Sequence, residues 1–587
     1  MSFQSGPYHT VRRILALLLL AFVPATRLPA GDPPPKFEVR AAWITTVNGL
    51  DWPTSPNPLE QQRSLLEIIE RLHNARFNTI YFQARGRADA MYNSAYEPWS
   101  PQLAGILGKD PGWDPLAFVI QEGHARGMEV HAWFNAFLVR TAPKIIESQP
   151  RHVTLAHPDW VQQVDGEWWS NPGLPGVRRY TVAVAMDIVR GYEIDGIHFD
   201  FTRYPARGMD DESTYEFFGR GVPKAQWRRD NVSAFIRDVR DSIRLVKPAM
   251  KIGAAPIGVF NGGVFRNALH SFEDVYQDSR RWLSEGWVDY LVPQLYWPIS
   301  TGASDPDFAS VARDWAIHSA GRQIVAGIGI YKNEVADQLP RLIDSARSVG
   351  LSGQAFFRYQ FLEPFLDAGG KYATPSLVPP MPWLDSVAPP PPTHFAVANI
   401  HDGVFQLEWT PPDTAGPADP PARYAVYRSL KHPVDIAEPA HCIDLVPGNV
   451  TSYVDSIVLP KSPVYYYTVT SIDAAGNESS SFVEEGVTIP EIVRLSKRFE
   501  NRTTLGSPFC DVRNNDLVVP FDLESDAGVL LTLEETTGTR VVTITDRTFT
   551  RGRHIVSFTL SAQSKGEYII RLRTSNATLT RSLRISG

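Results

Sequence analysis

Apolar and polar positions between residues 37 and 366 follow two periods that take turns along the chain. Short segments that are apolar at every second position, or throughout, predict strands, and segments with Leu, Ile and Val three or four residues apart predict helices. The predicted strands are 39–46 (VRAAWITT), 78–85 (NTIYFQAR), 129–135 (EVHAWFN), 194–201 (IDGIHFDF), 251–259 (KIGAAPIGV), 289–297 (DYLVPQLYW), 323–331 (QIVAGIGIY) and 353–360 (GQAFFRYQ). A helix with Leu65, Ile69 and Leu72 on one side starts from Asn57 with Pro58 in its first position. A second spans 114–126 and stops at Gly127; a third, 231–246 with Val232, Phe235, Val239 and Ile243, stops at Lys247-Pro248. Strand–helix units repeated in this way over about 330 residues predict an α/β fold, a (β/α)8 TIM barrel across 37–375. A doubly wound open sheet is the competing topology, but no glycine-rich phosphate loop follows the first strand.

Alternation also predicts faces. On the fourth strand Ile197 and Phe199 share one side, and Gly196, His198 and Asp200 share the other. Asp200 then falls at the strand's carboxyl end, where barrel enzymes collect their chemistry. The bland reading is that it caps the next element or pairs with Arg203.

After the barrel the pattern changes. Pro379, Pro380, Pro382 and Pro389–Pro392 predict a stiff linker over 376–392. Residues 393–490 hold short alternating strands (VFQLEWT, RYAVYRS, VYYYTVTSI) with a lone Trp409, the pattern of a small β-sandwich. This segment resembles a fibronectin type III module. Residues 491–587 again predict an all-β sandwich, similar to C-terminal sorting domains of exported bacterial proteins. At the other end, Arg12 and Arg13 precede an apolar run over 14–23, and Ala30 closes the segment. That is the layout of a secretory signal peptide over 1–30. A secreted, periplasmic or cell-surface protein is therefore expected, with no transmembrane segment in the mature chain and a possible surface attachment through the last domain. Only Cys442 and Cys510 occur, too far apart in sequence to suggest a disulfide-built fold.

Composition adds little. The net charge of −7 leaves no electrostatic footprint for nucleic acid. The 15 Trp, 21 Tyr and 29 Phe lean toward carbohydrate, whose flat C–H faces stack on rings, although rings also fill cores.

Polar groups recur near the carboxyl ends of the predicted strands: Gln83 and Arg85; His131, Trp133 and Asn135; Gln294 and Tyr296, then Trp297; Tyr331; Arg358 and Gln360. The loop after strand two adds Asp89, Tyr92, Glu97 and Trp99, and Arg203 and Tyr204 follow Asp200. Several motifs here resemble the glycosyl-hydrolase-like family ten, in the family's order: EVRAAWITT, FQARGRADAMYNSAYEPWS, HAWFNAF, DGIHFDFTRYP and VPQLYW. The family is a bacterial group of barrels related to the enzyme that digests denuded peptidoglycan glycan. The resemblance implies hydrolysis of a glycosidic bond in a pocket built from these positions. The sequence departs from the family in one respect: Phe201 and Thr202 follow Asp200, so a second adjacent acid is missing. Laid on the strand-four motif of chitinase-type barrels, DGIHFDFT puts Thr202 where the proton-donating glutamate would stand, so that chemistry is not implied.

Glycosidic cleavage needs an acid for the leaving oxygen and usually a second carboxylate. Asp200 is the candidate acid, its pKa raised by Phe201, Tyr204 and Trp133. Asp89 is preferred as its partner over Glu97, which could instead cap a turn, while Asp89 could pair with Arg85 or Arg87. Arg85, Asn135, Gln294 and Tyr296 would hold sugar hydroxyls, and Trp133 or Trp297 would stack on ring faces. Gln83, Tyr92, Arg203, Tyr204, Tyr331 and Arg358 complete the expected substrate-binding set. The insert with HPDW (157–160) and EWWSNPG (167–173) is either a loop over the cleft, with Trp168 or Trp169 as a platform, or a packed surface hairpin. No metal or other cofactor is expected: His124, His131, His152 and His157 lack H-E-x-x-H spacing, and neither a G-x-S-x-G elbow nor a C-x-x-C pair occurs. The expected function is an exported glycoside hydrolase acting on a polysaccharide, with peptidoglycan glycan foremost. The rival is a carbohydrate-binding barrel that cleaves nothing.

Overall fold

The structure, a computed structural model, describes residues 34–587 apart from 142–146, 264, 266–267, 300–304, 367–369, 402, 414–419, 458–463, 480–483, 489–502, 507, 512–515, 537–540, 561–565 and 586–587. The predicted signal peptide lies outside the described residues. Among those residues no helix is long and apolar enough to cross a membrane.

Eight parallel strands close into a barrel: β1 (Val39–Ile44), β2 (Thr79–Arg85), β3 (Glu129–Asn135), β4 (Gly196–Asp200), β5 (Lys251–Ala254), β6 (Tyr290–Leu291), β7 (Gln323–Ile328) and β8 (Gly353–Phe356). β8 pairs with β1, which excludes the open doubly wound sheet. β5 and β6 are shorter than the sequence pattern predicts. Pro256 and Pro293 interrupt them, and a proline has no N–H to give to a ladder. Beyond these prolines only single bridges persist, from Gln294 to Ile257 and to Gly327.

The helices form where caps and periodicity meet. The Asn57 side chain accepts from the N–H groups of Leu59 and Glu60 and starts the helix Pro58–Asn74, which buries Leu65, Ile68, Ile69 and Leu72. Asp114 caps Pro115–His124 in the same manner. The third predicted helix begins earlier than expected, at Lys224, and ends at Arg244. Ile197 and Phe199 of β4 face these helices in the outer core.

The barrel interior combines an apolar cluster, including Val39, Trp43, Tyr81, Tyr290 and Val325, with a polar ladder. Trp43 Nε1 donates to His198 Nε2 at 3.1 Å, which places the His198 proton on Nδ1, 3.3 Å from the Tyr290 hydroxyl. That hydroxyl lies 2.7 Å from His131 Nδ1, and His131 Nε2 reaches Glu129 at 3.2 Å. Rings fill this space because glycine faces them. A Cβ on Gly253 would come within 2.0 Å of the Tyr290 ring.

The proline-rich stretch predicted as a spacer instead closes the barrel floor. Met381 is buried in the interior cluster with Val378, Trp383 and Leu384 packed against it. Gln323 donates to Pro379 O at 2.8 Å, Trp383 to Asp289 at 3.0 Å, and Met381 N to Ala475 O of the following domain at 2.8 Å.

Residues 393–488 form a three-stranded sheet (Thr393–His401, Val404–Thr410, Ser452–Ser456) and a four-stranded sheet (Cys442–Pro447, Arg423–Ser429, Val464–Ile472, Glu484–Thr488). Phe405, Leu407, Trp409, Tyr424 and Tyr467 fill the space between them. From Thr504 onward two further antiparallel sheets enclose a core that includes Leu517, Val519, Leu531, Ile570 and Leu572.

Candidate active site

Asp200 ends β4 opposite Asn135 of β3, at the carboxyl end of the barrel. Its carboxylate accepts from the N–H of Phe201 at 2.7 Å. Phe201 holds φ 50°, a left-handed conformation that bulky residues rarely adopt. Such strain persists where the surroundings enforce it, and it gathers at active sites. Asp200 as a residue is 9% exposed. Burial pushes its carboxyl up to about 6 against four opposing influences: the Phe201 N–H, the Arg203 and Arg87 cations, and the Trp133 indole. The Trp133 N–H makes no hydrogen bond of good geometry, so its effect is that of a dipole facing the acid.

Arg87 connects the charges of the mouth, since Asp89, Glu167 and Asp200 all act on its guanidinium. Asp89 accepts from the Arg87 backbone N–H at 2.7 Å and stands half-buried in the β2 loop. Neither Arg85 nor Arg87 forms an ion pair with it. His152 fixes the loop from the other side, its Nε2 2.8 Å from the Arg87 carbonyl and its Nδ1 2.7 Å from the Thr154 hydroxyl. Burial holds His152 below the ordinary histidine value. Asn135 donates to Gly86 O at 2.9 Å from its side-chain nitrogen, and its side-chain oxygen is buried without a partner.

On the far side Tyr296 stacks on Phe357 (5.7 Å, 22°), and Tyr331 meets both rings edge-on at 5.9 Å. Burial and the Asp200 charge raise the Tyr296 phenol well above its ordinary value, so it stays a hydrogen-bond donor. Asp200, Trp133, Asn135, Arg203, Tyr296 and Tyr331 therefore gather at the mouth, with Asp89 beside them.

Other expected site residues have structural work. Gln83 and Asn135 point inward, but Gln83 spends its carbonyl oxygen on the N–H groups of Thr46 and Val47, each at 2.9 Å. Arg85 was expected beside Gln83. A β-bulge lets Gln83 face Trp133 and Arg85 face Phe134, so Ala84 is the extra residue and Arg85 turns to the outer side. There its guanidinium grips Glu97 with bonds of 2.7 and 2.6 Å and also donates to Asn135 O and Ala136 O. Both side chains are at most 1% exposed, so neither meets substrate, and Glu97 serves the fold rather than standing as a second carboxylate. Tyr92 and Tyr204 are fully buried in the outer core. Arg358 donates to Asp51 and Leu50 O, both at 2.7 Å. Trp297 packs on the outer core, close over Gly258. Gln294 remains half-buried at the end of β6.

The insert is a packed hairpin. Leu138–Arg140, Glu167–Ser170 and Val161–Val164 form one antiparallel sheet, and Trp169 is buried, which removes it as a sugar platform. The hairpin brings in Glu167, a residue that strand alternation in the barrel could not flag. Its charge acts on both Arg203 and Arg87.

The model of the family described as glycosyl hydrolase-like 10 matches residues 38–341. Glycosyl hydrolase YngK of Bacillus subtilis is 31% identical over 508 residues, covering 80% of this chain and 97% of that protein. Glycosyl hydrolase DigH of Escherichia coli K12 is 32% identical over 340 residues, 52% of this chain and 77% of that protein. The solved PgaB (BpsB) glycoside hydrolase domain from Bordetella bronchiseptica is 16% identical, with 57% of this chain and 98% of that domain covered and a TM-score of 0.40. With the family model covering just over half of the chain and nearly all of the barrel, the chain belongs to the glycosyl hydrolase-like 10 family and is a glycoside hydrolase.

Proposed function

We propose that the protein is an exported hydrolase of polysaccharide backbones, with the glycan strands of peptidoglycan as its substrate and Asp200 as the proton donor. The carrying observation is the place of Asp200, buried at the mouth and ion-paired with no described residue, where burial pushes its carboxyl up to about 6. A carboxyl of that kind holds a proton in mildly acidic solution and can deliver it to the leaving glycosidic oxygen. Asp89, in the loop after β2 and two strands along from β4, is the second carboxylate, which activates water or takes the glycosyl group. Tyr296 and Tyr331 supply the polar and aromatic contacts that position a sugar, and the buried Asn135 holds the β2 loop beside them through Gly86. The signal peptide would export the chain. The segment 393–490, read as a fibronectin type III module, and the C-terminal sandwich would hold the barrel at the cell surface near its polymer.

The test is release of new reducing ends from purified glycan strands by the wild-type protein and by Asp200→Asn. Loss of release with retained glycan binding supports the assignment. Full activity in the variant removes Asp200 from its role. Binding without any new ends, in the wild type, would favour the non-cleaving reading.

A further inference from the structure

We infer that Arg87 and Arg203 form an anion subsite beside the scissile bond, which selects a glycan carrying a free carboxylate on the sugar next to the cut. The inference rests on the hydrolase reading of the same mouth and adds the chemistry of what it accepts.

Three buried arginines elsewhere in the barrel meet an acid directly. Arg40 meets Glu38 at 2.9 Å, Arg85 meets Glu97 at 2.6 Å, and Arg228 meets Asp211 at 2.5 Å. Arg87 and Arg203, both half-buried, do not. Among the described residues neither forms an ion pair, although Asp89, Glu167 and Asp200 all lie within electrostatic range of one or both. Their hydrogen bonds are local and few: Arg87 Nη1 to Gly86 O at 2.9 Å, and Arg203 Nη1 to Tyr204 O at 3.4 Å. Arg87 Nε is buried with no partner.

What orients the two cations is aromatic. Arg87 lies 5.6 Å and Arg203 5.0 Å from the centre of the Phe201 ring, and Arg203 also lies 5.2 Å from the Trp169 ring. Stacking holds a guanidinium by its face and leaves its N–H edge unspent. The strained backbone at Phe201 thus does two things: it turns an N–H toward Asp200 and sets the ring that both arginines share.

Desolvated cations without a direct ion pair are costly, and burial lowers both arginines from the ordinary value. The three acids in range do not close the deficit by contact. When Asp200 carries its catalytic proton, one of them is neutral as well. A carboxylate on the substrate would take the unspent edges in charge-assisted hydrogen bonds, with the forked geometry that guanidinium and carboxylate share. A neutral glycan in the same place would leave the cations unpaired and be rejected for that reason.

The experiment compares glycan strands with free muramyl carboxylates against the same strands methyl-esterified, an uncharged form of similar shape. The wild type is expected to show a KM at least tenfold higher for the ester, with a smaller change in kcat, and the preference should shrink as salt is raised. Arg203→Gln should bring the KM ratio near one and Arg203→Lys should restore part of it. Calorimetric binding of both polymers to the wild type provides a readout that needs no cleavage. Equal KM and equal affinity for acid and ester would overturn the subsite, as would an undiminished preference in Arg203→Gln. Cleavage of neither polymer would instead overturn the hydrolase reading, and the calorimetry would still decide the subsite by the presence or absence of a preference for the acid.

Discussion

Arg423, on a strand of the first sandwich domain, donates to the Asp195 carboxylate in the barrel floor at 2.7 Å. It also donates to Gly127 O at 2.9 Å and lies 3.5 Å from Glu129. Asp195 takes further bonds from His124 at 2.7 Å and Val130 N at 2.8 Å, and Glu129 takes one from Lys251 at 2.6 Å. The second domain therefore completes the charge balance beneath β3 and β4, the strands whose far ends hold Trp133, Asn135 and Asp200.

Removing that cation takes from Asp195 its arginine partner and leaves Glu129 to Lys251 and His131. Arg423→Ala is expected to lower stability by about 3 kcal/mol, the usual cost of breaking one side of a buried ion pair, read from urea unfolding near pH 7. The arginine and its neighbours hold Glu129 and Asp195 below ordinary carboxylate values. Their stabilisation is present above about pH 4 and is lost as pH falls toward the depressed folded values. Acid unfolding of the wild type should lose a matching amount of stability below pH 4, and Arg423→Ala should show a shallower acid limb.

Asp200 has the opposite sign. Its folded value, about 6, lies above the ordinary 3.8, so ionisation in place costs stability as pH rises through that interval. Asp200→Asn should raise stability above pH 6 by up to about 3 kcal/mol, at 1.36 kcal/mol per pH unit, and leave it unchanged below pH 4. The wild-type kcat/KM should fall as pH rises past 6, and cleavage in the variant should drop by roughly a thousandfold. A thermal-melt series across pH and a reducing-end assay check the two halves separately.

Glu97 distinguishes structure from chemistry. Glu97→Gln weakens the fork with Arg85 and should cost about 3 kcal/mol. Activity per folded molecule should fall by less than about tenfold, under the loss expected for a catalytic acid or base. Melting temperature and active-fraction kinetics on one preparation give both numbers.

Gly253→Ala forces a methyl group into the Tyr290 ring, whose Cζ lies 2.0 Å from the Cβ position. Overpacking of this kind costs about 1–3 kcal/mol. The displaced Tyr290 would break its hydrogen bonds to His131 and His198, which ring-proton NMR shifts of those histidines would register.

The order of the eight strands, the caps at Asn57 and Asp114, and the split of β4 into an apolar and a polar face were legible along the chain, because each depends on neighbours a few residues away. So was the place of Asp200 at a strand end. Local pattern did not reveal the extra residue at Ala84, which shifts Arg85 to the other face by one step of a period of two. Nor did it reveal that the prolines after residue 376 close the barrel floor, or that Glu167 arrives at the mouth on a hairpin from elsewhere. Pairings such as Arg85 with Glu97, Arg358 with Asp51 and Arg423 with Asp195 were settled only by the folded structure. The periods along a strand or helix follow from backbone geometry that every residue carries with it. Which charge meets which across the barrel depends on distances that exist only once the ring of strands has closed.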